Sequence, residues 1–301
     1  MIDPLSKDAN VNSLIPCSDS EQGSLNIVAT PIGNLADISQ RALRVLGDVD
    51  VILAEDTRHS KRLLNHYGIT TRLKSCHEHN EADQVEWVKA QLDQGFDLAL
   101  ISDAGTPLIS DPGFVLVRAL RNSGYNIVAV PGPSSIIAAL SIAGLPTDGF
   151  VYDGFLPSKS SARKTALEKY LNQARTAVVL ESSHRISACL SDIVSVLGEQ
   201  RLVVLARELT KRFETVLSGS AADVLAQVLS DDDQTRGEFV VMLGGVSEVS
   251  DDEAQVHSML TILLAELPVK QAAGLVAKMT KLRKNDVYQQ ALEIKKACKG
   301  D

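Results

Sequence analysis

Short β-branched runs, each ending in a glycine- or proline-bearing loop and separated by stretches of helical periodicity, constrain this chain more than any other feature. Residues 25–30 (LNIVAT), 49–54 (VDVILA), 97–102 (DLALIS) and 125–130 (YNIVAV) read as strands, and 38–46, 81–94, 115–122 and 136–143 read as helices. Strands that alternate with helices predict an α/β fold with a parallel or mostly parallel sheet. A break at 144–149 precedes a second α/β stretch. There 176–180, 201–206 and 238–243 read as strands, 162–173 and 186–197 as helices. Beyond a linker at 247–252 the β signal ends, and 253–266, 269–282 and 285–296 read as three short helices. The expected organisation is a flexible tail over 1–23, α/β domains over 24–145 and 146–247, and a helical module over 253–301.

Composition narrows the class further. Aromatic residues are only 4% of the chain, so the core must be aliphatic. The longest apolar stretch, 136–145, carries Ser141 and Gly144 and falls far short of the roughly 18 residues a bilayer span needs. The first residues have early acids and no apolar centre, which argues against a signal peptide. Cys17, Cys76, Cys189 and Cys298 are widely spaced and form no CxxC pair, as suits reduced thiols in the cytoplasm. Thirty Lys and Arg against 38 Asp and Glu give a net charge of −8, which disfavours non-specific nucleic-acid binding but allows a local basic surface.

Ligands of open α/β sheets bind beyond the carboxyl ends of the strands. Here those ends carry 30–37, 102–113 and 130–135, all rich in Gly and Pro. Three such loops on one edge favour a binding site over simple turns. There is no GxxxxGK[ST] and no GxGxxG in the first loop, so the usual phosphate and dinucleotide cradles are excluded. Asp103 suits a ribose hydroxyl or a cation, with capping of its own Gly105-Thr106 turn as the plainer role. Glu181-Ser182-Ser183-His184-Arg185 suits orientation of an anionic or hydroxylated substrate; the alternative is a helix start capped by Ser182 or Ser183. Glu55-Asp56-Thr57-Arg58-His59 reads first as a helix cap with exposed charges. His77-x-His79 lacks a third ligand, so no metal is expected. Lys159, Arg163 and Lys164, and then Lys270, Lys278, Lys281, Arg283 and Lys284, form basic groups that suit RNA docking or a solubilising surface. Residues 149–157 (GFVYDGFLP) are expected to pack, ahead of serving as a dimer face or stacking bases.

Seven motifs in order then carry a resemblance. They are Thr30-Pro31-Ile32-Gly33-Asn34-Leu35, Ala54 to Arg58, Ser102 to Pro107, Pro131-Gly132-Pro133, Gly154 to Pro157, Glu181-Ser182-x-His184-Arg185 and Ala206 to Lys211. From about residue 25 to about 293 the chain resembles the RsmI family, within the tetrapyrrole methylase-like enzymes that use S-adenosylmethionine. It departs from the family at Ser183, where relatives often carry Pro or Thr. The resemblance implies two α/β domains with S-adenosylmethionine held between them, a homodimer, and no membrane partner. It implies 2′-O-methylation of a cytidine, C1402, in 16S rRNA of the small ribosomal subunit. Carried onto this chain, the cofactor residues are Pro31, Gly33, Asp103, Ala104, Gly105, Thr106, Ser110, Pro131, Ser134, Ser135, Leu156, Gly237 and Glu238. Glu181, His184 and Arg185 arrange the ribose and its phosphate, with Glu55, Asp56 and Arg58 as a second set. Lys159, Arg163, Lys164, Lys281, Arg283 and Lys284 are the expected RNA contacts. A methyltransferase of tetrapyrroles or other small molecules is the nearest rival, followed by a sensor of S-adenosylmethionine and, distantly, a metal-dependent hydrolase.

Overall fold

The structure, a computed structural model, describes residues 22–246, 248–280 and 282–297, with side chains at all of these except 232, 248–255, 296 and 297. The chain forms two compact units that join between Ser135 and Ile136.

The first unit is built from β1 (Ser24–Val28), α1 (Gln40–Asp48), β2 (Val51–Ala54), α2 (Thr57–His66), β3 (Arg72–Ser75), α3 (Glu81–Asp93), β4 (Leu98–Ile101), α4 (Phe114–Asn122) and β5 (Asn126–Val130), with α5 (Ser135–Ile142) starting at the join. Its five strands are all parallel, in the order β3-β2-β4-β1-β5. The all-apolar interior strands β2 (VILA) and β4 (LALI) are buried throughout, as a sheet covered on both faces requires. Successive side chains point to opposite faces. Val28, Ile52, Ala54, Ala99 and Ile101 therefore pack with Ala42, Leu46 and Leu64 of α1 and α2. Val51, Leu53, Leu98 and Leu100 pack with Val85, Val88, Leu92, Leu116 and Leu120 of α3 and α4. Each such fully buried aliphatic side chain contributes roughly 1.5–3 kcal/mol.

Helix starts are set by local chemistry. The Ser39 side chain accepts from the Ala42 N–H and the Asp56 side chain from the Arg58 N–H, so the helix cap read in 55–59 forms on Asp56. Gly113 precedes α4 at φ 123°, and a Cβ there would lie 2.8 Å from Leu100. Since it has no capping side chain, the buried Glu81 carboxylate reaches over from α3 to accept from the Leu116 N–H at 2.8 Å.

The second unit holds β6 (Phe150–Phe155), α6 (Ser160–Glu168), β7 (Thr176–Ser182), α7 (Ile186–Leu197), β8 (Leu202–Arg207), β9 (Thr215–Ser220), α8 (Ala221–Ser230) and β10 (Glu238–Leu243). The strand order is β6-β7-β10-β8-β9, and only β6 and β7 run parallel. This sheet is mixed, unlike the first. Its core gathers Leu167, Ile186, Cys189, Leu190, Ile193, Val224 and Val228 of α6–α8 against Ala177, Val179, Val203, Leu205 and Val241. Residues 149–157 form the edge strand β6 and its flanks, with Phe155 left exposed.

The C-terminal helices α9 (Glu248–Glu266), α10 (Val269–Thr280) and α11 (Lys284–Ala297) share a separate small core of Val256, Leu260, Ala273, Val276, Val287 and Ala291. No helix among the described residues is long and apolar enough to cross a membrane.

Candidate functional site

In the first sheet, β1 and β4 are neighbours, yet the chain leaves β1 towards β2 on one side and leaves β4 towards β5 on the other. The loops after these two strands therefore leave towards opposite faces of the sheet, the arrangement that marks the ligand-binding edge of open α/β sheets. The expected cofactor residues lie there. Thr30 and Gly105 form a two-bond bridge, Thr30 N–H to Gly105 O at 2.8 Å and Gly105 N–H to Thr30 O at 3.0 Å. Gly105 holds φ 82°. The Thr106 hydroxyl donates to Pro133 O at 3.1 Å and so joins the third loop to the second. Pro31, Gly33, Asp103, Ala104, Gly105, Thr106, Ser110, Pro131, Ser134 and Ser135 are thus brought to one edge of one sheet. Leu108 and Ser110 hold φ 73° and 67°, a backbone state that costs about 1–3 kcal/mol per non-glycine residue and concentrates at functional loops.

The charge at this edge is negative. Asp103 does not cap its own turn; its carboxylate accepts from the Asp56 N–H at 3.1 Å and ties the tip of β4 to that of β2. Burial, then the charges of Asp103 and Asp111, push the Glu55 carboxyl above the ordinary range; burial also raises Asp111. Asp56 is different: three bonds from Arg58, two from its side chain and one from its N–H, hold it down to about 2, and Arg58 itself is 91% exposed and folded back on that cap. Such an edge suits a cation. For Glu55 the folded-state value lies above the unfolded one, so ionising it opposes folding once the pH passes the unfolded value. Glu55→Gln is therefore expected to raise the melting temperature of the free protein at pH 8 and to lose that gain at about pH 4. Thermal unfolding at the two pH values checks this, and an equal effect at both would contradict it.

In the second sheet β10 runs against both neighbours, so its start faces the ends of β7 and β8. Glu238 pairs with Ser182, and Phe239 pairs with both Glu181 and Arg207. Leu156, Glu181–Arg185, Gly237 and Glu238 are collected at this one end. The Glu181 side chain is fully enclosed. Arg185 lies 2.6 Å from its Oε1, and the Ser182 N–H donates to the same oxygen at 2.8 Å. Its Oε2 is buried without a hydrogen-bond partner. Arg185, 26% exposed, also donates to Leu156 O at 3.3 Å, and His184 is exposed beside it. The Cys189 thiol is pushed up to about 12, first by burial and then by Glu181, so it stays protonated. The expected Ser182 or Ser183 cap does not form. Arg185 occupies the cap position of α7 without a side-chain cap, its N–H bonded to Ser182 O at 3.0 Å.

Beside this cluster is a network in which the sequence reading gave a role to Glu238 alone, as a cofactor residue. Glu208 Oε1 accepts from Lys211 Nζ at 2.8 Å and from the Glu238 N–H at 3.0 Å, and Lys211 reaches Glu238 Oε2 at 2.9 Å. Burial raises the Glu208 carboxyl, but Lys211, the Glu238 N–H and Arg207 outweigh it and leave the group lowered. Gly237, at φ 105°, is required here, since a Cβ would lie 2.5 Å from Glu208 Cγ. The signal available in sequence was the charge pattern of Arg207-Glu208-x-x-Lys211.

The basic candidates separate. Lys159 is exposed just before α6. Arg163 is not an RNA contact: its side chain is 3% exposed and paired to Asp192 at 2.7 Å. Lys164 is half-exposed and bonds Ser195 at 3.3 Å. Arg283 and Lys284 are exposed at the start of α11, and Lys281 lies outside the described residues. A cavity of about 590 Å³ beside α10 is lined by Leu267, Lys270, Leu275, Lys278, Leu282 and Lys284. No group of three or more His, Cys, Asp or Glu among the described residues is placed to hold a metal.

Residues 24–225 match the family model described as Tetrapyrrole (Corrin/Porphyrin) Methylases, and 250–295 match that described as RsmI C-terminal HTH domain. The Ribosomal RNA small subunit methyltransferase I of Escherichia coli O157:H7 is 50% identical over 277 residues, covering 92% of this chain and 97% of its own. Its counterpart in Pseudomonas aeruginosa is 51% identical over 274 residues, covering 90% and 97%. Among solved structures, cobalt precorrin-4 methyltransferase superimposes with a TM-score of 0.54 at 17% identity, over 73% of this chain and 94% of that one. The methyltransferase CobJ gives 0.56 at 16%, over 74% and 95%. At such identities these two show a common fold.

Proposed function

The chain belongs to the ribosomal RNA small subunit methyltransferase I family of the tetrapyrrole methylases, and from that premise we propose that it transfers a methyl group from S-adenosylmethionine to the ribose 2′-oxygen of a cytidine, C1402, in 16S rRNA. One observation carries RNA over a tetrapyrrole as substrate. The methylase fold is followed by a module matching the RsmI C-terminal domain, with Lys270, Lys278 and Lys284 around its cavity. About a quarter of this chain has no counterpart in the cobalt precorrin-4 enzyme, which is itself matched almost end to end.

The first unit's residues fit the cofactor. Glu55, Asp103 and Asp111 place carboxylates at the loop edge, which suits a sulfonium and would repel a phosphate. Bound there, S-adenosylmethionine supplies an electrophilic methyl group. The backbone of Asp103–Thr106 and Pro131–Ser135 holds its polar atoms. Arg185 and His184 reach solvent and orient the ribose and its phosphate, while Glu181 is a positioning residue that fixes Arg185. Orientation of the two reactants supplies most of the rate. Lys159, Lys164, Arg283 and Lys284 draw in RNA, which a net charge of −8 makes a local task. The reading places the enzyme in the cytoplasm as a homodimer. Exposed Ile109, Phe114 and Val115 support the dimer by offering an apolar surface to a second copy.

The test is transfer of labelled methyl from S-adenosylmethionine to unmodified small subunits, naked 16S rRNA and a porphyrinogen in parallel, followed by nucleoside mass spectrometry. Label in 2′-O-methylcytidine is expected. Label in the porphyrinogen alone would overturn the reading.

A further inference from the structure

The loop between β8 and β9 displays an aromatic ring on a rigid backbone. Phe213 is 61% exposed, in a chain with few aromatic residues, and the Arg212 guanidinium lies 5.4 Å from its ring centre. The backbone beneath is clamped. The Phe213 carbonyl accepts from Arg207 at 3.2 Å and from the Thr215 hydroxyl at 3.1 Å. The Glu214 carboxylate accepts from the Thr210 N–H at 2.6 Å, and the Glu208–Lys211–Glu238 network fastens the loop to β10. Glu208 and Thr210 hold φ 51° and 64°. A strained, multiply bonded loop that ends by exposing a phenyl ring is not a slack surface turn. Its position is also specific. It leaves the sheet from β8, separated only by β10 from the end of β7, which carries His184 and Arg185. Two strand spacings to β8, and a third to β9, which begins just after Phe213, make that separation about 10 to 15 Å, comparable with the span of one or two nucleotides.

We propose that Phe213, with Arg212 against its ring, is a stacking platform for a base that flanks the nucleotide whose ribose is methylated. This rests on the RNA reading of the site. Single-stranded RNA is held by stacking unpaired bases on aromatic rings, with an adjacent arginine serving the π-face or the phosphate. The surroundings favour RNA over a second protein copy. Phe114 is as exposed as Phe213 and has Arg118 5.9 Å from its ring centre, but its chain neighbour is the exposed, apolar Val115, which suits a protein face. Phe213 instead sits between charged Arg212 and Glu214, both exposed.

The experiment compares Phe213→Ala, Phe213→Leu and Phe213→Trp, with Leu229→Ala, another 60% exposed apolar site on α8, as the control. The alanine and leucine variants are expected to raise KM for small subunits roughly 10-fold, the scale of one lost base stack. They should leave kcat within about twofold, and affinity for S-adenosylmethionine and sedimentation behaviour unchanged. Phe213→Trp should restore KM, and its emission, read in a Trp87→Phe background, should be quenched on adding subunits. Unchanged KM in the alanine variant, full activity in the leucine variant, or a change of oligomeric state would each overturn the platform. If the unsubstituted enzyme methylates no RNA at all, the functional reading fails and takes this proposal with it.

Discussion

An Arg163→Ala variant is expected to lose about 3–5 kcal/mol of stability while each folded molecule keeps its affinity for small ribosomal subunits. Arg163 Nε and Nη2 lie 2.8 and 2.7 Å from Asp192 Oδ2, and both side chains are almost wholly buried. Arg163 Nη1 also donates to Ser158 O at 3.2 Å, and Ser160 donates to Asp192 Oδ1 at 2.9 Å. The pair thus pins α6 to α7 and to the loop that follows Leu156. Removing the guanidinium leaves an enclosed carboxylate with only the half-exposed Lys164 ammonium, 3.7 Å from Oδ1, to compensate it, and that poorly compensated charge, not the lost attraction, sets the size of the effect. The double replacement Arg163→Met with Asp192→Leu should therefore recover most of the loss, because neither charge is then buried. Denaturant unfolding measures the first effect. The salt dependence of subunit binding measures the second, and its slope should stay unchanged. A variant as stable as the parent with a shallower slope would restore Arg163 to the RNA surface.

Arg163 shows where sequence reading stops. A basic residue near two lysines looks like surface, and nothing local reveals that Asp192, on another helix, meets it. Elements were legible where burial was complete: all-apolar VILA and LALI have no role but an interior strand. Three of the missed elements have little apolar content to bury, whereas α8, which buries Ala221, Val224 and Val228, and edge strand β6 (FVYDGF) were missed although apolar. Edge strand β3 is RLKS, edge strand β9 is TVLSGS, and α2 buries only Ser60 and Leu64. Strand direction was also invisible, since alternation along β10 is the same whether its neighbours run with it or against it. The candidate site divides in the same way. Loops after β1, β4 and β5 announced themselves through Gly and Pro, which the backbone there requires. The Glu208–Lys211–Glu238 network did not, because Glu238 lies 30 residues from Glu208 and meets it only through sheet pairing.

Replacing His184 or Arg185 by alanine is expected to lower methyl transfer while leaving S-adenosylmethionine affinity within about twofold. The loss at Arg185 should be the larger, about 100-fold in kcat, the scale of removing one fixed donor from a reacting site. His184 is exposed and its loss leaves no buried group unpaired, so its variant should fold normally and report function alone. Arg185 needs more care, since it is the cation against Glu181, whose second oxygen already has no partner. Arg185→Ala is therefore expected to destabilise the second unit as well as slow transfer, by leaving an enclosed carboxylate without its counter-charge. Glu181→Gln with Arg185→Met separates the two effects: no charge is left buried, so stability returns while transfer stays low. Arg185→Lys keeps the charge but loses the paired geometry that reaches both Glu181 and Leu156 O, and should recover stability better than rate. If both single alanine variants transfer methyl groups at the parent rate, the Glu181–Arg185 cluster is a structural tie at the head of α7 and the substrate is oriented elsewhere.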